Sequence, residues 1–151
     1  MHKPNITMAC IVHCDGKFLF VEEFEYGKMT LNQPAGHLEK GETILEGAKR
    51  ELFEETGICA EMQALIKIYQ WHAPRSNTDY LRFVFAVELP EQAEINPSDP
   101  DIAGGRWLTF DEFQHYIRQP GQDERNPLVT QAVLDYLAGT RYPLALLAHF
   151  A

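Results

Sequence analysis

One run of residues, bracketed by a start signal and a stop signal, constrains this chain more than any other. Thr43 stands before Ile44–Thr56 and Gly57 stands after it. Thr43 with Glu46 three residues on has the form of a capping box, in which each side chain satisfies the other's backbone N–H. Ile44, Leu45, Ala48 and Leu52 recur at three- and four-residue spacing and give one apolar face. Gly57 sits where a left-handed residue closes a helix, with Ile58 placed to fold back on Phe53 as in a Schellman motif. The punctuation predicts a helix over Ile44–Thr56.

That helix carries its charge at the wrong end. Glu51, Glu54 and Glu55 crowd its last turns, where the negative pole of the macrodipole disfavours each carboxylate by roughly 0.3–1 kcal/mol. They are also like-charged neighbours at i,i+3 and i,i+4. At 100° per residue they share one side with Ile58 and lie apart from the apolar set. Arg50 stands four residues before Glu54 and four after Glu46, so it can hold a carboxylate in place. Just upstream, Pro34-Ala35-Gly36 forms a loop in which glycine permits close backbone approach. Hard oxygen donors without a Cys or His cluster suit Mg2+ or Mn2+ rather than zinc, and such ions are completed by substrate phosphate oxygens. The chemistry implied is metal-assisted displacement at phosphorus.

Around this centre the chain reads as a mixture of strands and helices without regular βαβ alternation, which favours a mixed sheet with helices packed on it. Ile6–His13 and Lys17–Phe24 form a hairpin at Asp15-Gly16, and Met29–Gln33 is a short segment leading to the loop. Ala64–Trp71 and Tyr80–Leu89 read as strands joined by a loop over His72–Asp79, and Pro90–Gly105 as a long connection. After a short strand, Arg106–Leu108, a capping box at Thr109 and Glu112 opens a helix to Arg118. Gln119–Arg125 reads as a loop. Asn126 and Pro127 start a helix to Ala138, with Val129, Val133, Tyr136 and Leu137 inward, and the apolar tail Tyr142–Phe150 docks on the body or on a neighbouring copy. No repeat or linker divides the chain, so 1–151 is expected to be a single domain, as a monomer or weak homodimer.

A net charge of −9 argues against a nucleic-acid polymer or a membrane as partner, because either needs a basic surface. It leaves room for a small phosphorylated molecule, since bound cations reverse the local field. Cys10 and Cys14, four residues apart on one strand face, are about 13 Å from each other and cannot form a disulfide. With no leader pattern and no span-length apolar run, the expected compartment is the cytoplasm.

Read as a whole, Gly36, five residues, Glu42, seven residues, then Arg50-Glu51-Leu52-Phe53-Glu54-Glu55-Thr56-Gly57-Ile58 matches every defined position of the Nudix box. The chain resembles the Nudix hydrolases. That resemblance implies an α/β/α sandwich and hydrolysis of a nucleoside diphosphate linked to another group. It implies metal-binding roles for Glu51, Glu54 and Glu55, a ligand from the Ala35 carbonyl, and supporting roles for Arg50 and Glu42. Many relatives place a glutamate six residues before a tryptophan as a further ligand or base; counting back from Trp107 gives Asp101, with Asp99 its nearby rival. Outside the box, KPNIT, NQPAGHLE, QWHAP, LRFVFAVEL and RYPL resemble the NudJ-type phosphatases of bacteria. This implies Mg2+-dependent release of orthophosphate from nucleoside tri- and diphosphates, and action on thiamine diphosphate or hydroxymethylpyrimidine diphosphate. Two alternatives are a Nudix pyrophosphohydrolase for ADP-ribose, a dinucleoside polyphosphate or an oxidised nucleotide, and a non-catalytic nucleotide-binding regulator.

A ring on the substrate needs a stacking wall, and its phosphates need a cation. Trp71, His72 and Tyr80 are candidates for the wall, Arg82 for a phosphate contact, and Asn32 and Gln33 for reading polar ring edges.

Overall fold

A computed structural model describes the whole chain, residues 1–151. In chain order the elements are β1 (Asn5–Cys14), β2 (Lys17–Glu25), β3 (Lys28–Asn32), β4 (Ala35–His37), α1 (Ile44–Thr56), β5 (Ala64–Ala73), β6 (Thr78–Glu88), β7 (Gly104–Leu108), α2 (Phe110–Ile117), β8 (Gln122–Glu124) and α3 (Pro127–Leu137). The predicted first hairpin is present. Asp15 and Gly16 both hold positive φ, 52° and 78°, as a two-residue primed turn requires. Yet β1 and β2 pair only at His13–Phe18 and Cys14–Lys17. Beyond those two rows they splay. On one side of β1, β4 pairs antiparallel at Thr7–Ala9; on the other, β6 runs parallel from Asn5–Tyr80 to His13–Glu88. The sheet is therefore mixed, ordered β5-β6-β1-β2-β3-β8, with β4 on β1 and β7 on β2.

Alternation along the strands fills a core on each side. Met8, Cys10, Phe83 and Phe85 meet Ala48 and Leu52 of α1. Ala9, Ile11, Phe18, Phe20, Leu31 and Val84 meet Phe113 of α2 and Val129 and Val133 of α3. Each large apolar side chain sealed in this way contributes about 1.5–3 kcal/mol. Helices on both faces make the α/β/α sandwich. No helix is long and apolar enough to cross a membrane.

Several local expectations are corrected. β5 and β6 continue to Ala73 and from Thr78, so the expected loop over His72–Asp79 is a tight turn with Asn77 at φ 50°. Gln122–Glu124, expected as loop, is a strand because it pairs parallel with β3. At α1, Thr43 accepts the Glu46 N–H (3.1 Å), but only the Thr109–Glu112 box is complete on both sides. Gly57 (φ 76°) closes α1 by donating to the Phe53 carbonyl (2.7 Å), while the Ile58 N–H goes to Thr56 Oγ1. Ile58 packs into the α1-side core and Phe53 stays half exposed. Helix α3 ends at Leu137, which is exposed; Leu128, Val129, Ala132 and Val133 are its buried face. In the tail, Tyr142 bridges to Leu65 and Leu144 and Leu147 pack on the core, but Phe150 is exposed.

Candidate active site

The C-terminal turns of α1 abut β4, and the fit is close. A Cβ added to Gly36 would lie 2.1 Å from Glu51 Cδ, so only glycine lets this carboxylate reach the β4 backbone. Gly36→Ala is expected to push Glu51 out of place, lowering kcat by roughly a hundredfold while Tm falls only a few degrees. Steady-state kinetics and a melting curve on the purified variant check this, and wild-type kcat would refute the fit as a requirement.

Arg50 organises the acids. Its Nε and Nη2 grip Glu42 at 2.9 and 2.7 Å, its Nη2 also donates to the His37 carbonyl (3.0 Å), and its Nη1 reaches Glu51 (2.7 Å) and Glu54 (3.2 Å). Glu46, four residues earlier on the helix, is not among its partners; Glu42 takes that place because it offers both oxygens to the guanidinium fork. The Arg50 bonds hold the Glu42 carboxyl below the usual carboxylate range. Burial pushes Glu51 up, and Arg50 offsets part of that rise.

Glu55 lies deepest, 5% exposed, and accepts the Ala35 N–H at 2.9 Å. Burial pushes its carboxyl up to about 9, and the nearby charges of Glu23, Glu51 and Asp99 add to the effect. Glu23 was not anticipated. Burial raises its carboxyl too, with Arg125 and Asn32 pulling the other way. The sequence did hold a signal: Leu19, Val21 and Glu23 alternate, which puts an acid at a core-facing position of β2.

The connection from β6 to β7 supplies a further acid. Backbone N–H groups of Ser98 and Asp99 bond the Glu54 carbonyl at 2.9 and 3.1 Å, and that of Asn96 bonds the Thr56 carbonyl at 2.8 Å. These carbonyls are the ones a helix end leaves unsatisfied. The loop therefore delivers Asp99 to the carboxylates, and its charge reaches Glu23, Glu51 and Glu55. Asp101, six residues before Trp107, is exposed and donates its N–H to Asp99 Oδ1 (2.9 Å).

No three acidic, His or Cys side chains stand together at metal-ligating distance. The donors nevertheless suit a hard divalent cation: all are oxygens, one is deeply desolvated, and a positive charge, Arg50 Nη1, already bridges Glu51 and Glu54. Bringing Glu55 into such a set requires the side chains to close on the ion.

The residues expected to meet a ring come together on the other face of β6. Cross-strand register sets Trp71 against Tyr80 and Tyr69 against Arg82. Trp71 and Tyr80 stack, with centroids 5.9 Å apart, and His37 lies 6.3 Å from Tyr80. His72 falls on the opposite face, bonded to Asp79 at 2.8 Å, and does not join the wall. Arg82 is no solvent-facing residue. It is 5% exposed, and its Nη2 donates to Asn32 Oδ1 (3.1 Å) and Gln33 Oε1 (3.2 Å). The Gln33 amide is fixed in turn by the Val129 carbonyl (2.9 Å). Burial draws the guanidinium down to about 10, and its Nε is sealed in without a partner. A cation held by amide oxygens rather than a carboxylate has no bonded counter-charge. Asn32 bonds Arg82 and stands close enough to Glu23 to favour its charged form, and so joins this wall to the acids.

Comparison with known proteins agrees with this geometry. The NUDIX domain family matches residues 1–131. The chain is 47% identical over 150 residues to proteins named Phosphatase NudJ from Escherichia coli K12 and Shigella flexneri, spanning 99% of this chain and 94% of theirs. Among solved structures, a NUDIX hydrolase from Nitrosomonas europaea superposes with a TM-score of 0.87 at 40% identity, covering 98% of both chains.

Proposed function

The chain belongs to the NUDIX domain family, and on that premise we propose that it is a Mg2+-dependent phosphatase releasing orthophosphate from nucleoside tri- and diphosphates. As a Nudix hydrolase it acts on phosphoanhydride bonds. The observation that carries the finer reading is the continuity from Glu55 and Glu23 through Asn32 to Arg82 and the Trp71–Tyr80 pair. A cleft of that form takes phosphates at one end and a ring at the other.

Glu51, Glu54 and Glu55, with the Ala35 carbonyl, hold the cation; Mn2+ is an acceptable substitute. When bound, the cation neutralises phosphate charge and makes a bound water more acidic. Arg50 and Glu42 fix Glu51 and Glu54 in place. Asp99 takes the role first expected of Asp101. Arg82 offers its guanidinium to the phosphate nearest the ring, and Asn32 and Gln33 orient it. The names of the relatives support orthophosphate as product, and the Trp71–Tyr80 wall supports pyrimidine diphosphates, among them thiamine diphosphate and its hydroxymethylpyrimidine precursor, as further substrates. Residues 1–151 act as one domain, in the cytoplasm, where such substrates are found.

The test is a substrate screen with Mg2+, scoring orthophosphate and pyrophosphate separately. Orthophosphate from both tri- and diphosphates, lost on chelation, is the expected result. Pyrophosphate plus a monophosphate would assign a nucleotide pyrophosphohydrolase instead, and tight nucleotide binding with no turnover would assign a regulator.

A further inference from the structure

Two contacts cross the cleft between the β5–β6 and β2–β3 hairpins. At its inner end Arg82 Nη2 meets Asn32 Oδ1. At its outer end the Arg75 guanidinium, in the β5–β6 turn, lies 3.7 Å over the ring of Tyr26 in the β2–β3 turn. From Arg82 to Thr78 on one strand and from Asn32 to Lys28 on the other, the rise is about 13 Å. Between the crossings stands the stacked Trp71–Tyr80 pair, two rows out from Tyr69–Arg82 and on the same face.

The outer crossing is built at a cost. The two-residue β2–β3 turn requires positive φ at Tyr26, which holds 50°, a region that bulky L residues rarely enter; Asn77, also at 50°, is of a type that enters it readily. Tyr26 is 66% exposed, so burial does not account for it. What it touches is Arg75. A cation over an aromatic face at an exposed site is attractive but weak enough to open.

We infer that Tyr26 and Arg75 determine specificity by substrate length, an inference that rests on the phosphatase reading above. With the phosphates held toward Glu55, a pyrimidine joined to its diphosphate by one methylene ends at the Trp71–Tyr80 pair. A purine nucleoside, longer by a ribose and a fused ring, reaches the outer crossing. The clasp leaves the short substrate untouched and obstructs the long one. Neither residue touches the reacting phosphate; both act by positioning the two hairpin tips.

The experiment compares kcat/KM for GTP with that for hydroxymethylpyrimidine diphosphate, in Mg2+, for the wild-type chain and for Tyr26→Ala, Arg75→Ala, Tyr26→Phe and Arg75→Lys. Circular dichroism melts confirm folding. The ratio of long to short substrate is expected to rise about tenfold in both alanine variants. It should stay within about twofold of wild type in the phenylalanine and lysine variants, which keep the ring and the charge. An unchanged ratio in folded alanine variants, or an equal change in the conservative ones, overturns the clasp alone, because the wild-type rates still stand. A wild-type chain that releases orthophosphate from neither substrate overturns both readings.

Discussion

Glu54→Gln is expected to lower kcat by roughly a thousandfold while leaving Tm within a few degrees of wild type. The side chain is 41% exposed and its one charged partner is Arg50 Nη1 at 3.2 Å. Exposed pairs of this kind contribute only about 0–1 kcal/mol, so the fold loses little. The amide keeps the shape and removes the charge, which is what a hard cation needs from it. Weaker Mn2+ binding, followed by calorimetry, should accompany the loss. A variant that retains near-normal turnover would remove Glu54 from the metal-binding role.

Arg50→Ala is expected to show the reverse pattern, with a large loss of stability that metal partly repairs. Glu42 and Glu51 are 13% and 12% exposed, and Arg50 is their shared counter-charge. Removing one partner of a largely buried pair leaves the other charges uncompensated, at a cost of about 3 kcal/mol. For a chain of this size that is a fall in Tm of about 10 °C. Saturating Mg2+ or Mn2+, at about a hundred times its dissociation constant, would return roughly 2.7 kcal/mol. Thermal melts with and without the ion measure both quantities. A Tm unaffected by the mutation, or a variant as unstable with metal as without it, would contradict the role given to Arg50.

What could be read from the chain beforehand divides along physical lines. Helix α1 was legible to the residue because Thr43 and Gly57 act locally. Strand β8 was not, because Gln122–Glu124 has no strand propensity of its own and exists through its pairing with β3. The site follows the same rule. Glu51, Glu54, Glu55 and Arg50 lie within one helix, so spacing alone places them. Asp99 reaches them because a loop N–H seeks the Glu54 carbonyl, a contact no count back from Trp107 could reveal. Strand alternation places Arg82 on the face of Tyr80, but only the folded chain shows Gln33, tied to the Val129 carbonyl of α3, bonded to its guanidinium. For Glu23 the signal is local, an acid alternating with Leu19 and Val21 on β2.

The splayed first hairpin also sets an order of events. β1 makes two rows with its neighbour in sequence and its long ladder with β6, about 75 positions later. Contacts of such separation form slowly, because a long loop must close before they are rewarded, whereas a capped helix needs only itself. During synthesis, then, α1 and Gly36 leave the ribosome before the segments that carry Arg82, Trp71 and Asp99. The two halves meet only when β6 pairs with β1.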